Sequence, residues 1–165
     1  MKKEKKFIDL EKSAKSIGAQ IYLIEKVEVD CSISLFSLIK KNAPRTDGHY
    51  SSLICRADDE NRTEGAYDFI AICWPDGKGG FEKAQNWALK NGLKAIDARD
   101  LVSICRKNID IYWDLKFFDI IRLVSTNPVK GKYLTAQIEA EAEVMIYLEE
   151  GNMSGDDLFF VFRLE

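Results

Sequence analysis

The chain has 165 residues, of which 46% are hydrophobic and 31% charged, and its formal net charge is −3. This length suits a single domain, and the apolar content argues against intrinsic disorder. The acidic balance gives no electrostatic basis for non-specific nucleic-acid binding, which needs a basic face. The charged start and the absence of an apolar run of about 20 residues predict a cytoplasmic protein without a membrane partner.

The cysteines give no metal-binding pattern. Cys31, Cys55, Cys73 and Cys105 include no Cys-x-x-Cys pair, and His49 is the single histidine. Because zinc sites need closely spaced sulfur or imidazole ligands, we predict no metal site, and nothing else in the sequence indicates a cofactor. Three of the cysteines end short apolar runs, which is typical of reduced, buried side chains.

The N-terminal third is predicted to alternate helices and strands. Apolar residues at helical spacing predict an amphipathic helix over 5–17, which Gly18 ends, and a strand follows over 20–29. Asp30 is a suitable N-cap for a second helix over 31–42. After a polar loop, residues 50–55 are predicted to form another strand.

The clearest local unit spans residues 67–105. It comprises an apolar strand at 67–74, a glycine-rich loop, a helix at 81–91 and a short strand at 93–96. Asp97 then caps a further helix over 98–107. A strand, helix and strand of this length form a βαβ unit, so the two strands should run parallel.

The C-terminal third is predicted to be a meander of long strands. Odd-numbered apolar residues from Ile109 predict a strand to about 117, whereas 117–124 could be strand or helix. Every even position from Leu134 to Leu148 is apolar, which predicts one continuous strand over 132–148. With a last strand at 158–164, the fold class is α+β, a mixed sheet with an α/β part (1–107) and an antiparallel meander (108–165).

Two features of this third are candidate interaction surfaces. Glu139, Glu141 and Glu143 share one face of the predicted strand, about 7 Å apart, and form either a solvated face or a partner-binding acidic strip. The Leu158–Leu164 segment is apolar on both faces, so it is either covered within the fold or forms a homodimer or partner interface.

The glycine-rich loop at 76–81 is a candidate anion-binding site. Gly77, Lys78, Gly79 and Gly80 precede a helix N-terminus, where free backbone N–H groups attract anions. The loop matches neither common phosphate-binding fingerprint, and a plain connection is the alternative interpretation.

Residues 67–105, including Leu93–Asp97, resemble the closing α/β unit of restriction-endonuclease-like domains of the Mrr type, over less than a quarter of the chain. The resemblance implies a metal held by an acidic residue and a Glu/Asp-x-Lys motif on an adjacent strand. The segment Tyr50–Cys55, where this motif would be expected, contains neither a carboxylate nor a lysine.

The sequence therefore favours a small protein-binding factor of the inhibitor, immunity or regulatory type, acting through a sheet surface. No catalytic residues are assigned. The alternative is a nuclease-like enzyme, or one that handles nucleotides or phosphate, using the 76–81 loop with Asp68, Asp76 and Asp97.

Overall fold

A computed structural model describes residues 2–56, 64–115, 120–128, 131–139, 144–150, 153 and 155–165. The fold is α+β, with helices on a mixed sheet and an antiparallel meander towards the C-terminus. The helices are α1 (Lys2–Lys15), α2 (Leu35–Asn42), α3 (Gly48–Cys55), α4 (Phe81–Lys90), α5 (Ala98–Ile104) and α6 (Asn108–Asp114). The strands are β1 (Gln20–Val29), β2 (Gly65–Cys73), β3 (Lys94–Ala95), β4 (Ile120–Ser125), β5 (Tyr133–Glu139), β6 (Val144–Glu149) and β7 (Leu158–Leu164).

The described strands form one seven-stranded sheet in the order β1-β2-β7-β4-β5-β6, and β3 also pairs with β7. β2 runs antiparallel to both of its neighbours, β1 and β7, β7 runs parallel to β4, and β4, β5 and β6 form the antiparallel meander. Because β2 and β3 are both antiparallel to β7, they run parallel to each other, as predicted for the βαβ unit. The α/β part and the meander therefore share one sheet.

Helices pack on both faces of the sheet. α1 and α4 cover one face, where they bury Ile70 and Phe160, whereas α2, α3, α5 and α6 cover the opposite face, where they bury Phe69 and Phe159. Successive residues of β2 thus enter opposite cores, which explains its continuous apolar run and confirms its predicted central position.

Among the residues described, none of the helices is both long enough and apolar enough to cross a bilayer.

The strand predicted at 50–55 is wrong, because this segment is part of α3. The Asp47 carboxylate accepts a hydrogen bond from the Tyr50 N–H at 3.0 Å and so caps the helix. Asp47 and Gly48, which lie in the polar loop predicted before residue 50, therefore form a helix N-terminus. Ser51 and Ile54, three positions apart, form its buried side.

The strand predicted from Ile109 is also wrong, because residues 108–114 form α6. Ile111 and Leu115 are buried at an i, i+4 spacing, whereas Ile109 is 55% exposed. The helix buries the side that carries Ile111 and Leu115, and Ile109 does not lie on this side, as it would in a strand. The open choice over 117–124 is settled as a strand for 120–124, and 116–119 lie outside the described residues.

The single strand predicted over 132–148 is instead the hairpin of β5 and β6. Leu134 pairs with Leu148 and Ala136 with Ile146, so even-numbered residues face even-numbered residues across the hairpin. Alternation is consequently in phase in β5 and β6, and the sequence pattern does not separate the two strands. Residues 140–143 lie outside the described part.

The last strand does not extend the meander as predicted. β7 crosses back to the middle of the sheet and inserts between β2 and β4. Two helix boundaries also differ: α2 begins after the N-cap Ser34 instead of Asp30, and α5 ends at Ile104, before a 3-10 turn over Cys105–Lys107.

Candidate functional site

The two outer strands of the described sheet, β1 and β6, differ in how their edges are covered. On β6, the Ile146 N–H donates to Thr46 Oγ1 at 2.9 Å, so the segment before α3 covers this edge. β1 pairs with β2 alone among the described strands. An edge strand presents a row of N–H and C=O groups that can pair with another chain.

A groove of about 350 Å³ lies between the edge of β1 and α6, and we call it the α6 groove. Tyr22–Glu25 form one wall, and residues from Lys107 to Leu115 form the other. A further cavity of about 380 Å³ continues it along Lys26–Glu28 and shares Lys107 and Asp110 with the first. The α6 groove therefore follows β1 over seven residues.

A second groove, the α1 groove, lies on the other side of β1 and has a volume of about 370 Å³. Phe7 and Ile8 of α1 line it together with Leu23, and Glu4 and Glu25 complete the lining. Ile8 is 48% exposed, an unusual position for a large aliphatic side chain on an amphipathic helix. Leu23 and Glu25 line both grooves, so β1 forms the ridge between them.

The alternation of β1 distributes its side chains between the two grooves. Tyr22 and Ile24 pack with the core beneath α6, whereas Ile21 and Leu23 pack with the core beneath α1. A strand added to β1 would follow the same pleat, because neighbouring residues in a sheet share a face. Its successive side chains would thus enter the α6 groove and the α1 groove in turn.

A β-bulge limits the regular part of this edge. The pairing register with β2 shifts between Ile24 and Val27, and Lys26 has a positive φ of 52°. The Lys26 N–H donates to Asp68 Oδ1 at 2.9 Å, which fixes the bulge. Bulges and edge charges also prevent unselective strand pairing, so a regular partner strand would face Gln20–Ile24 only.

Charge in the α6 groove is divided along its length. Lys107 and Asp110 line both parts, Arg106 lines only the part by Lys26–Glu28, and Glu25 and Asp114 line only the part beside Tyr22–Ile24, which thus has three carboxylates and one lysine. The part of the α6 groove with more carboxylates, which we call its acidic half, therefore lies beside the regular part of β1.

Tyr22 supplies a neutral polar group at the acidic end of the groove. Burial, and to a smaller extent the neighbouring Cys73, raises the pKa of Tyr22. Its hydroxyl donates to Gln20 Oε1 at 3.0 Å, and its ring meets Phe159 edge-on at 5.6 Å. Both the hydroxyl and the ring of Tyr22 are thus held in place, and the hydroxyl stays protonated at neutral pH.

Ser103 is a buried polar group at the other end of the α6 groove. Its side chain is fully buried, and its hydroxyl has no hydrogen-bond partner among the residues described. It lines the cavity that continues past the bulge. A buried hydroxyl without a partner is costly, so this group is suited to accepting or donating a hydrogen bond to an added ligand.

Packing and local hydrogen bonds account for the shape of the glycine-rich loop. Gly77 has a φ of +68°, and the Asp76 carboxylate accepts a hydrogen bond from the Lys78 N–H at 2.9 Å. A Cβ at Gly79 would lie 2.0 Å from Cδ2 of Trp74, so only glycine fits under the indole. The anion-binding role of Gly77–Gly80 stays a prediction.

The other carboxylates of the enzymatic alternative also bond to backbone amides. Asp68 accepts from Lys26 in the bulge, and Asp97 accepts from the Asp100 N–H at 3.1 Å as the N-cap of α5. Across the described ranges, no three Cys, His, Asp or Glu side chains are grouped so that they could hold a metal ion. No disulfide joins the four cysteines, all of which lie in the described ranges, and Cys73 and Cys105 are buried.

The predicted acidic strip is only partly described. Glu139 lies at the end of β5, where it accepts hydrogen bonds from Gln137 at 2.8 Å and from Arg45 at 3.1 Å. These two contacts, the Gln137 hydrogen bond first, lower the pKa of Glu139. Glu141 and Glu143 lie outside the described residues, so the strip as a partner surface stays a prediction.

The apolar faces of Leu158–Leu164 are covered within the chain. Residues 158–162 are all buried, because β7 is central and helices pack on both of its sides. The pattern that suggested a homodimer through this segment thus has an intramolecular explanation.

A polar cluster joins the start of β7 to the meander. Arg122 donates to Asp157 at 2.6 and 2.8 Å and to Glu149 at 3.0 Å. Thr135 Oγ1 donates to the second oxygen of Glu149 at 3.1 Å. Hydrogen bonding to Asp157 is the largest cause that raises the pKa of Arg122, so the guanidinium is a permanent cross-link between strands.

Comparisons with models of protein families, with curated proteins and with solved structures gave no match to this chain.

Proposed function

We propose that the chain is a small cytoplasmic protein-binding factor, of the inhibitor, immunity or regulatory type, that binds an extended segment of its partner along β1. The observation that carries this proposal is an edge strand with a groove on each side. Strand addition gives affinity through backbone hydrogen bonds, and pockets for alternate side chains give specificity.

The contrast between the two sheet edges supports the choice of β1. The β6 edge already donates a backbone N–H to Thr46, whereas β1 pairs on one side and is flanked by grooves. Natural proteins cover or interrupt edge strands that have no partner. The bulge at Lys26 interrupts β1 after Ile24 and leaves the regular five residues before it.

The state of the cysteines supports a reducing compartment. The four described cysteines form no disulfide, and burial raises the pKa of Cys73 and of Cys105 to about 12. Thiols of this kind are poor nucleophiles and act as small apolar side chains. They suit the cytoplasm, where disulfides are rare.

The enzymatic alternative stays a prediction. It requires a ligand at the 76–81 loop, and any ligand that binds the native state raises the melting temperature by mass action. Melting the protein with Mg²⁺, Mn²⁺, inorganic phosphate or a nucleotide is therefore its direct test. An increase with one of them would favour this alternative.

The binding proposal is tested by selecting binders from a displayed library of random peptides against the folded full-length chain. Hydrogen exchange is then measured with and without a selected peptide. We expect slower exchange of the outward-facing amides within Gln20–Ile24, because these amides gain partners on strand addition. Protection confined to another surface, or failure to select any peptide, would refute the proposal.

A matched pair of variants locates the binding surface. Ile8→Lys places a charge in the α1 groove and should weaken binding by about 1 kcal/mol or more, roughly fivefold. Leu89→Lys makes the same chemical change on α4, where Leu89 is 70% exposed and lines neither groove. Binding should be unchanged in Leu89→Lys, and an equal loss in both variants would contradict the assignment.

A further inference from the structure

We infer that the segment bound by β1 alternates basic and aliphatic side chains, with the basic ones in the α6 groove and the aliphatic ones in the α1 groove. This inference rests on the proposed function and specifies the chemistry of its ligand. Lysine or arginine would face Tyr22 and Ile24, and an aliphatic residue would face Leu23.

The α1 groove selects an aliphatic side chain. Phe7, Ile8 and Leu23 provide its apolar lining on the side of β1 to which Leu23 projects. A partner residue opposite Leu23 projects to the same side. Burying an aliphatic group there removes apolar surface of both chains from water.

The α6 groove selects a basic side chain beside the regular part of β1. Asp110 and Asp114 are four residues apart on α6, so they lie on one face of the helix, and both are exposed. Lys107 is the one basic residue that lines this part, where Glu25, Asp110 and Asp114 outnumber it, and Arg106 lies past the bulge, near Glu28 at 3.9 Å. Partner residues opposite Tyr22 and Ile24 therefore meet negative charge.

Ser103 points independently to a polar ligand in the same groove. Its buried hydroxyl lacks a partner in the described part of the chain, and it lines the cavity that shares Lys107 and Asp110 with the acidic half. A polar side chain of the bound segment that reaches past the bulge would satisfy this hydroxyl. The α6 groove thus offers polar contacts along its whole length, whereas in the α1 groove Glu4 and Glu25 accompany a mainly apolar lining.

The test uses a fluorescent peptide of about ten alternating lysine and valine residues, the length of a long strand. Matched peptides carry serine or glutamate in place of lysine, and anisotropy is measured with the full-length chain. We expect the lysine peptide to bind best and the glutamate peptide worst. Asp110→Asn/Asp114→Asn should weaken binding of the lysine peptide by roughly three- to twentyfold.

The control variant is Asp9→Asn/Glu82→Gln. It changes the net charge by the same amount at two exposed positions that line neither groove, so binding should be unchanged. A loss equal to that of the Asp110/Asp114 variant would show attraction to overall charge and would overturn the inference. Circular dichroism of both double variants checks that the helices are retained.

The remaining outcomes separate this inference from the proposed function. Equal binding of the three peptides, with protection still at Gln20–Ile24, would overturn the inference and leave the function in place. Failure of all three to bind would overturn the inference, and the library selection then decides the function. A dimer in sedimentation that Ile8→Lys dissociates would make a second copy the occupant and would also overturn it.

Discussion

Replacing Gly79 with alanine tests whether packing dictates the shape of the glycine-rich loop. The added Cβ would lie 2.0 Å from Cδ2 and 2.1 Å from Cε3 of Trp74. Carbon atoms in contact need about 3.5 Å, so the loop or the indole must move by more than about 1 Å. The indole is restrained, because Trp74 is buried and its Nε1–H donates to the Ile17 carbonyl at 3.1 Å.

The expected cost follows from the packing of buried groups. Overpacking a close-packed site typically costs about 1–3 kcal/mol. At this chain length that is a fall in melting temperature of roughly 2–12 °C. Because the clash is with one ring, the added cost of Gly79→Ala should drop below about 0.5 kcal/mol in a Trp74→Leu background.

Urea unfolding and thermal melting of four proteins make the measurement: wild type, each single variant and the double variant. Gly48→Ala is the matched control, since a Cβ there has no neighbour within 4 Å at the start of α3. It should stabilise the chain by up to about 1 kcal/mol. A Gly79→Ala protein as stable as wild type, or a cost undiminished without the indole, would refute the packing explanation.

Three further outcomes are expected. Burial raises the pKa of Cys73 and of Cys105 from 9.0 to about 12, so the unfolded chain loses these thiol protons first and the free energy of unfolding falls as pH rises above 9. Urea midpoints between about pH 8 and 11 should fall less steeply in Cys73→Ala/Cys105→Ala, and an unchanged slope would contradict this. Arg122→Met should cost about 1–3 kcal/mol in urea unfolding, because it leaves two neighbouring carboxylates unpaired, and a neutral result would show that the cluster is not stabilising. Thr46→Val should increase self-association in sedimentation, because it uncovers the β6 edge, and an oligomeric state unchanged from wild type would contradict this role of Thr46.

Strongly periodic segments were predicted well from the sequence. The strand at 20–29 and the last strand at 158–164 match β1 and β7, and the helix predicted at 81–91 matches α4 within one residue. Each of these elements buries one or both of its faces, so its apolar residues recur with the period of the helix or strand.

The wrong predictions occurred where two structures share one pattern. Leu134–Leu148 alternates without interruption because the hairpin pairs even positions with even positions. Around Ile109 a short helix contains apolar residues at odd positions by coincidence, and only the burial of Ile111 and Leu115 shows the helical spacing. The local sequence pattern cannot distinguish these alternatives, because contacts with distant parts of the chain decide which structure forms.

The candidate site could not be found from the sequence for the same reason. Tyr22–Glu25 were correctly predicted to lie in a strand, but a strand becomes an edge only through the arrangement of the others. Exposed Ile8 was the available signal, since a large aliphatic residue outside the buried face of α1 has no role in the core.

The central place of β7 has a consequence for how the sheet is assembled. The β1–β2 pair and the β4–β5–β6 meander are each formed by strands that follow one another along the chain, whereas the only strand joining these half-sheets among those described is β7, which follows all of them. Insertion of β7 is thus a non-local closure that must satisfy two neighbours at once, a slow kind of step in folding. Until it occurs, the newly made chain carries two separate half-sheets with open inner borders, and these borders are the surfaces that a chaperone would need to protect.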